Sequence, residues 1–187
     1  EMPASEFDNQ IAVSVRSYYL ATHAAVPAMI EEGGGCIVNI SSPGSVFDFF
    51  CAPYSISRAT ADRITQAIAH DLKGTGVRTY SLWPSFIRTE RVLAAAAGED
   101  VGIPLPPDFD PSCHANSPEM VGTAIAHLAA DTDEAERVGT VLTLHEVAKK
   151  YGLADVDERP ALRHSAVKAS IEKFGYVVPS AFAKMTY

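Results

Sequence analysis

Ser42, Tyr54 and Arg58 have the residue types and spacing that fit a proton-transfer site. A short apolar run, Cys36-Ile37-Val38-Asn39-Ile40, delivers Ser41 and Ser42 at its carboxyl end. Twelve residues beyond Ser42 comes Tyr54, and Arg58 follows at i+4 on the same helix face. A guanidinium beside a phenol favours the phenolate and lowers the tyrosine pKa. A tyrosine so tuned can pass a proton to or from a substrate oxygen. A serine hydroxyl at the strand end can hydrogen-bond that same oxygen. Ser42 is preferred to Ser41 because neighbouring strand residues face opposite sides. From spacing alone, Tyr-x-x-x-Arg is a weak pattern, and a helix-start aromatic with a surface cation is the stronger reading.

The elements that must carry these residues are legible in order. Ser5-Glu6-Phe7-Asp8 fits a helix N-cap. Apolar residues at Ile11, Val15, Tyr18/Tyr19, Val26 and Met29/Ile30 then recur near the helical period, so a helix is expected over about 6–31, bent by Pro27. Gly33-Gly34-Gly35 leave a helix and enter a strand, which suits a C-cap and turn rather than a phosphate cradle. The run from Cys36 is a buried parallel strand. A second helix is expected over 53–73, with an apolar stripe of Ile56, Ile64, Ala67/Ile68 and Leu72. Val77 to Trp83 is the next strand, and Ala94–Ala97 favour a helix. Residues 98–116 are proline-rich and weakly periodic, as in a loop or lid. Ser117-Pro118-Glu119 start a helix to about 130. A third strand is expected over Val138–Leu144, a short helix over 145–151, and one more helix near 161–174. This alternation predicts an α/β fold with a parallel sheet.

Composition narrows the function classes. The chain has 187 residues, one domain's worth, with 47% apolar residues. A net charge of −8 and a pI near 5.2 argue against a nucleic-acid surface. No apolar run approaches the roughly 20 residues that span a bilayer. Cys36, Cys51 and Cys113 lack metal spacing, and reduced thiols suit an intracellular, cytoplasmic protein. His23, His70, His127 and His145 have no Cys or carboxylate at metal spacing, so no metal is expected. No G-x-S-x-G surrounds Ser41, Ser42 or Ser45, against a serine hydrolase of that type. Trp83 fits a strand-end core residue.

The stretch GCIVNISS, Tyr54 with Arg58, and Pro84-Ser85-Phe86-Ile87-Arg88-Thr89 together resemble the carboxyl-terminal half of a short-chain dehydrogenase/reductase. ISSPGS, SLWP, SPEMVG, VLTLHEVAKKYG and DVDER resemble most its dehydrogenase/reductase family member 1 branch. The match runs from about Ser5 to Arg159. The resemblance implies a Rossmann-like doubly wound parallel sheet, of which about three strands with flanking helices are present. It also implies NAD or NADP as cofactor, and interconversion of a small-molecule carbonyl and alcohol. By position, Ser42 would orient the substrate oxygen and Tyr54 would be the general acid/base. Arg58 stands where the family has a lysine that binds the nicotinamide ribose, and Tyr54 would be a cofactor neighbour as well. Pro84, Ser85, Ile87 and Thr89 would lie along the nicotinamide. Ser14 stands where the family has an asparagine of a proton relay. The helices 6–31 and 53–73 would pair with their copies in a homo-oligomer.

Three positions depart from the pattern: Arg58 for lysine, Ser14 for asparagine and Ser85 for glycine. Arginine keeps the charge but does not release a proton near neutral pH. The glycine-rich loop that seats the pyrophosphate is not among these residues, nor is the residue that would choose NAD or NADP. The expectation is therefore a fragment whose cofactor half lies upstream, leaving the strand at 36–41 with an open edge. Residues 1–159 are expected to form the domain half and 160–187 an extension. A rival reading is a non-catalytic dimerisation or regulatory module that has lost the cofactor site.

Overall fold

The computed structural model describes residues 3–46, 50–84, 86–103, 105, 108–133 and 138–161. Contacts divide the chain into two units: Glu1–Trp83 with Leu128–Leu142, and Pro84–His127 with Thr143–Tyr187.

The first unit holds the sheet. Strands β1 (Gly35–Ile40), β2 (Val77–Trp83) and β3 (Val141–Thr143) lie in the order β1-β2-β3. β1 and β2 run parallel, with Gly35 opposite Val77 and Ile40 opposite Leu82. The chain enters β1 through a helix stop: Gly33 is left-handed (φ 84°), while Gly34 N–H reaches back to Met29 O and Gly33 N–H to Ile30 O. The expected α/β class with a parallel sheet is what the chain forms.

The helix expected over 6–31 is three segments: α1 (Ala4–Gln10), a π-helical stretch (Ile11–Arg16) and α2 (Ser17–Glu31). Pro3, not Ser5, precedes it, and no side chain caps it. Pro27 lies inside α2, which runs on to Glu31. The buried positions are Ser14 and Thr22, whereas Tyr19 and Ile30 of the expected apolar stripe are exposed.

The second helix, α3 (Ala52–Asp71), likewise corrects the expected stripe. Its buried residues are Ser57, Ala61, Asp62 and Thr65, while Ile56 is 45% exposed. The reason is the sheet face beneath it. Asn39 Nδ2 donates to Thr65 Oγ1 (2.9 Å), and Thr79 Oγ1 donates to the Thr65 carbonyl (3.0 Å). Ser81 Oγ and Trp83 Nε1 both donate to Asp62 Oδ1, at 2.5 and 3.1 Å. Alternate strand residues thus present hydroxyl, amide and indole groups to α3, and only a helix face of small and polar residues can satisfy them. Tyr80 and Leu82, at intervening positions of β2, are fully buried.

In the second unit, α4 (Glu90–Ala96) is capped by Thr89, and a short α5 (Pro111–His114) capped by Asp110 interrupts the expected loop 98–116. Helix α6 (Pro118–Ala130) starts as expected, with Ser117 Oγ accepting from Met120 N–H at 3.0 Å. The third strand is shorter than expected. Gly139 is left-handed (φ 80°), and Thr143 with Glu146 forms a capping box that already opens α7 (Leu144–Tyr151). Of the expected helix near 161–174, Ala161 is not helical and the rest lies outside the described residues, as does most of the extension 160–187.

Candidate active site

The carboxyl end of β1 and the first turns of α3 converge in the first unit. β1 ends at Ile40, and its ladder continues one bond further, from Ser41 N–H to Leu82 O (2.9 Å). Ser41 is buried, and its hydroxyl donates to the Arg58 carbonyl at 3.0 Å, so it is tied to α3. Ser42 points the other way. Its Oγ lies 2.9 Å from the Tyr54 hydroxyl and accepts from Gly44 N–H at 3.2 Å, within the 3₁₀ turn Pro43–Ser45.

Tyr54 is in the first turn of α3, where Cys51 is the N-cap and Pro53 stands at the helix start. Ser57 Oγ donates to the Tyr54 carbonyl (2.7 Å), and the Phe50 ring meets the Tyr54 ring edge-on at 5.0 Å. The Arg58 guanidinium lies over the Tyr54 ring, 5.2 Å from its centroid. Arg58 Nη1 donates to the Ile40 carbonyl (3.2 Å), and Nε donates to Ser57 Oγ (3.4 Å). These bonds leave Nη2 without an acceptor among the described residues.

The Arg58 charge acts on the Tyr54 phenol in the expected direction but is not the largest influence on it. Burial pushes the Tyr54 phenol above its ordinary value; the Ser42 hydrogen bond and the Arg58 charge both pull it down but do not outweigh burial. Burial therefore favours the neutral phenol, the form able to donate to an oxygen that gains charge.

Ser14 lies in the π-helical stretch and is buried, yet no hydrogen bond joins it to Ser42, Tyr54 or Arg58. One turn further, Tyr18 donates its hydroxyl to the Ile40 carbonyl at 2.7 Å. Tyr18 was legible only as part of an apolar stripe; its i+4 spacing from Ser14 was the available signal. Asp62 was missed altogether, because a carboxylate in mid-helix looks like a solvated residue.

The segment expected along the nicotinamide belongs to the second unit, and Ser85 lies outside the described residues. Pro84 is half-buried. Ile87 forms a parallel bridge with Asn116: Asn116 N–H donates to Phe86 O (2.8 Å) and Arg88 N–H to Asn116 O (2.9 Å). The Thr89 hydroxyl accepts from Val92 N–H at 3.3 Å, so it is the cap of α4. Arg88 pairs with Asp155 (3.5 Å) and Asp157 (2.9 Å).

Among the described residues no group of His, Cys, Asp and Glu is placed to hold a metal ion, and no helix is long and apolar enough to cross a membrane.

The sequence profile of the family described as short chain dehydrogenase matches residues 1–100. Dehydrogenase/reductase SDR family member 1 of Mus musculus is 38% identical over 165 residues, covering 86% of this chain and 52% of that protein. Its Homo sapiens counterpart is 34% identical over 182 residues, covering 95% of this chain and 58% of that protein. The crystal structure of a short-chain type dehydrogenase/reductase from Mycobacterium marinum aligns with a TM-score of 0.59 at 25% identity, over 76% of this chain and 54% of that one. The chain thus spans little more than half the length of these relatives. A profile match over more than half of its residues, with relatives of one kind over most of the remainder, decides the assignment: the chain belongs to the short chain dehydrogenase family.

Proposed function

We propose that this chain carries the proton-transfer half of an NAD(P)-dependent oxidoreductase that interconverts a small carbonyl compound and its alcohol. The observation that carries the reading is the 2.9 Å approach of Ser42 Oγ to the Tyr54 hydroxyl, with a cation over the phenol ring. Two hydroxyls this close can hold one substrate oxygen between them. In the direction of reduction, Ser42 orients the carbonyl oxygen. The Tyr54 O–H bond breaks as the new alcohol O–H forms, and the phenolate left behind sits against Arg58. Oxidation runs the same proton back.

A bound nicotinamide cofactor supplies or accepts the hydride; the protein places it. The residues present fit its nicotinamide-ribose end: Arg58 Nη2 has no protein acceptor among the described residues and can donate to ribose oxygens. For the pyrophosphate these residues offer no strand-to-helix glycine loop, since Gly33–Gly35 lead from α2 into β1. A homo-oligomer through the α1–α2 and α3 helices is part of the same reading, supported by the exposure of Val13, Tyr19, Leu20 and Ile56.

The rival reading, a non-catalytic module, is favoured by one contact: Arg58 spends Nη1 on the Ile40 main chain. The two readings part on a single variant. In the full-length protein containing this chain, Tyr54→Phe is expected to lower NAD(P)H-dependent reduction of a carbonyl panel by about 10²–10⁴-fold. Nucleotide binding, followed by NAD(P)H fluorescence, should stay within about twofold, since the phenol acts on the substrate proton. Turnover that survives the loss of the phenol, or its absence in the parent protein with every substrate and both nucleotides, sinks the enzymatic reading.

A further inference from the structure

Among the described residues, two that carry a β-carbon take a positive φ: Phe50 (64°) and Glu158 (63°). The other left-handed positions are glycines, such as Gly74 and Gly76 after α3. That region crowds Cβ against the following carbonyl, so an aromatic residue held there is outside its preferred backbone. Phe50 stands immediately before Cys51, the N-cap of α3. A hydrophobic residue at that place commonly packs on the fourth residue of the helix, here Ser55. Phe50 instead meets the third, Tyr54, with the two rings edge-on at 74° and 5.0 Å between centroids. We propose that Phe50 is a positioning residue of the Tyr54 site, its backbone turned left-handed so that its ring closes on Tyr54 and keeps water from the phenol.

Arg58, Gly44 and Phe50 lie against different parts of the Tyr54 ring. The Arg58 guanidinium is over its face, 5.2 Å from the centroid. Gly44 is so near Cε1 that a β-carbon would stand 2.8 Å away. A cation and a bare glycine offer little apolar cover, and the Phe50 ring supplies it. Backbone strain at such a place persists only where the surroundings hold it, and the contact between the rings is that hold. A dry phenol gives its proton to a bound oxygen rather than to solvent. Burial is the largest influence on the phenol and raises it; the Ser42 hydrogen bond and the Arg58 charge lower it, and Tyr18 of α2 and Cys51 raise it. Taking the Phe50 ring away admits water and so weakens the largest of these influences. The inference rests on Tyr54 being the proton-transfer group.

The test is the titration of Tyr54 in the full-length protein containing this chain, labelled with ¹³Cζ tyrosine, its resonance assigned with Tyr54→Phe. In Phe50→Gly and Phe50→Ala the Tyr54 midpoint is expected to fall by about 0.5 pH unit or more. Phe50→Leu keeps an apolar cover and should stay within about 0.3 pH unit of the parent. The two small residues part on strain: glycine is at ease with a positive φ and alanine is not. The urea midpoint of Phe50→Gly should therefore lie above that of Phe50→Ala. An alanine variant that fails to fold where the glycine variant folds meets the same expectation. An unchanged or raised Tyr54 midpoint in Phe50→Gly overturns the inference. So does a leucine variant whose midpoint falls as far, or a glycine variant no more stable than the alanine one. The two readings fail separately: the expected titration in a protein without turnover leaves Phe50 as the cover of Tyr54 and sinks only the enzymatic function, whereas turnover with an unmoved midpoint in Phe50→Gly sinks only the role of Phe50.

Discussion

A β-carbon on Gly44 would stand 2.8 Å from Cε1 of Tyr54 and 3.1 Å from Oγ of Ser42. Glycine is needed at this position for close approach to a ring, not for an unusual backbone angle. Gly44 also donates its N–H to Ser42 Oγ, so one residue both admits the phenol and orients the serine. Gly44→Ala is expected to push the Tyr54 ring outward, cost about 1–3 kcal/mol in urea unfolding, and break the Ser42–Tyr54 bond. Burial is the larger influence and raises the phenol, so a ring moved outward brings the Tyr54 midpoint down even though the Ser42 bond, which lowers it, is lost. Unchanged stability together with an unchanged midpoint would show that the turn has room to spare. At this scale the sequence was legible where a residue does its work through a side chain at a fixed offset. Ser42, Tyr54 and Arg58 are brought together by such offsets. Gly44 and Tyr18 were not legible, because one acts by lacking an atom and the other by reaching a main-chain oxygen 22 residues away.

Helix α3 shows why element positions were easier to read than element faces. Its limits, Ala52–Asp71, lie within two residues of the expected 53–73, since Gly74 and Gly76 end it by composition alone. Its inward face was misread because the strand residues beneath it are Asn39, Thr79 and Ser81 rather than aliphatics. Asp62 is the centre of that seam. Its Oδ1 takes Ser81 and Trp83, and Oδ2 lies 3.2 Å from the same indole nitrogen. Asp62→Ala strands a buried hydroxyl and a buried indole N–H, with an expected loss of roughly 2–4 kcal/mol. Asp62→Asn retains an acceptor and should cost about 1 kcal/mol. Trp83 is the single tryptophan of the chain, so its fluorescence reports this contact directly. The alanine variant should shift the emission and the asparagine variant much less. Equal effects of the two variants on stability and emission would mean that the carboxyl group only fills space.

For the molecule as a whole, the same misread faces have a consequence. Small and polar residues of α3 meet the sheet, so the helix's larger aliphatics are left elsewhere. Ile56 is 45% exposed, and on the helices before it Val13 is 71%, Tyr19 57% and Leu20 42% exposed. Scattered apolar residues on a surface need no explanation. Here, however, the exposure falls on the two helices whose inward faces are closed by Ser14, Thr22, Ser57 and Thr65, which explains why the aliphatics were free to remain outside. A stable homo-oligomeric interface buries on the order of 800 Å² per partner, which takes contributions from more than one helix. The expected outcome is therefore concentration-dependent association, seen by sedimentation velocity between about 1 and 100 µM, a span that brackets micromolar affinity. Val13→Asp combined with Ile56→Asp should return the protein to monomer, because a charge buried at an interface core is costly to desolvate. Far-UV circular dichroism should be unchanged, since neither side chain is part of the buried core. A parent protein that sediments as a monomer across that range, or a double variant that associates as the parent does, would remove these helices as the interface. Either result would leave the pairing of Ser42 with Tyr54 untouched, because Ser42 follows β1 and Tyr54 sits two residues from Ile56, on the other side of α3.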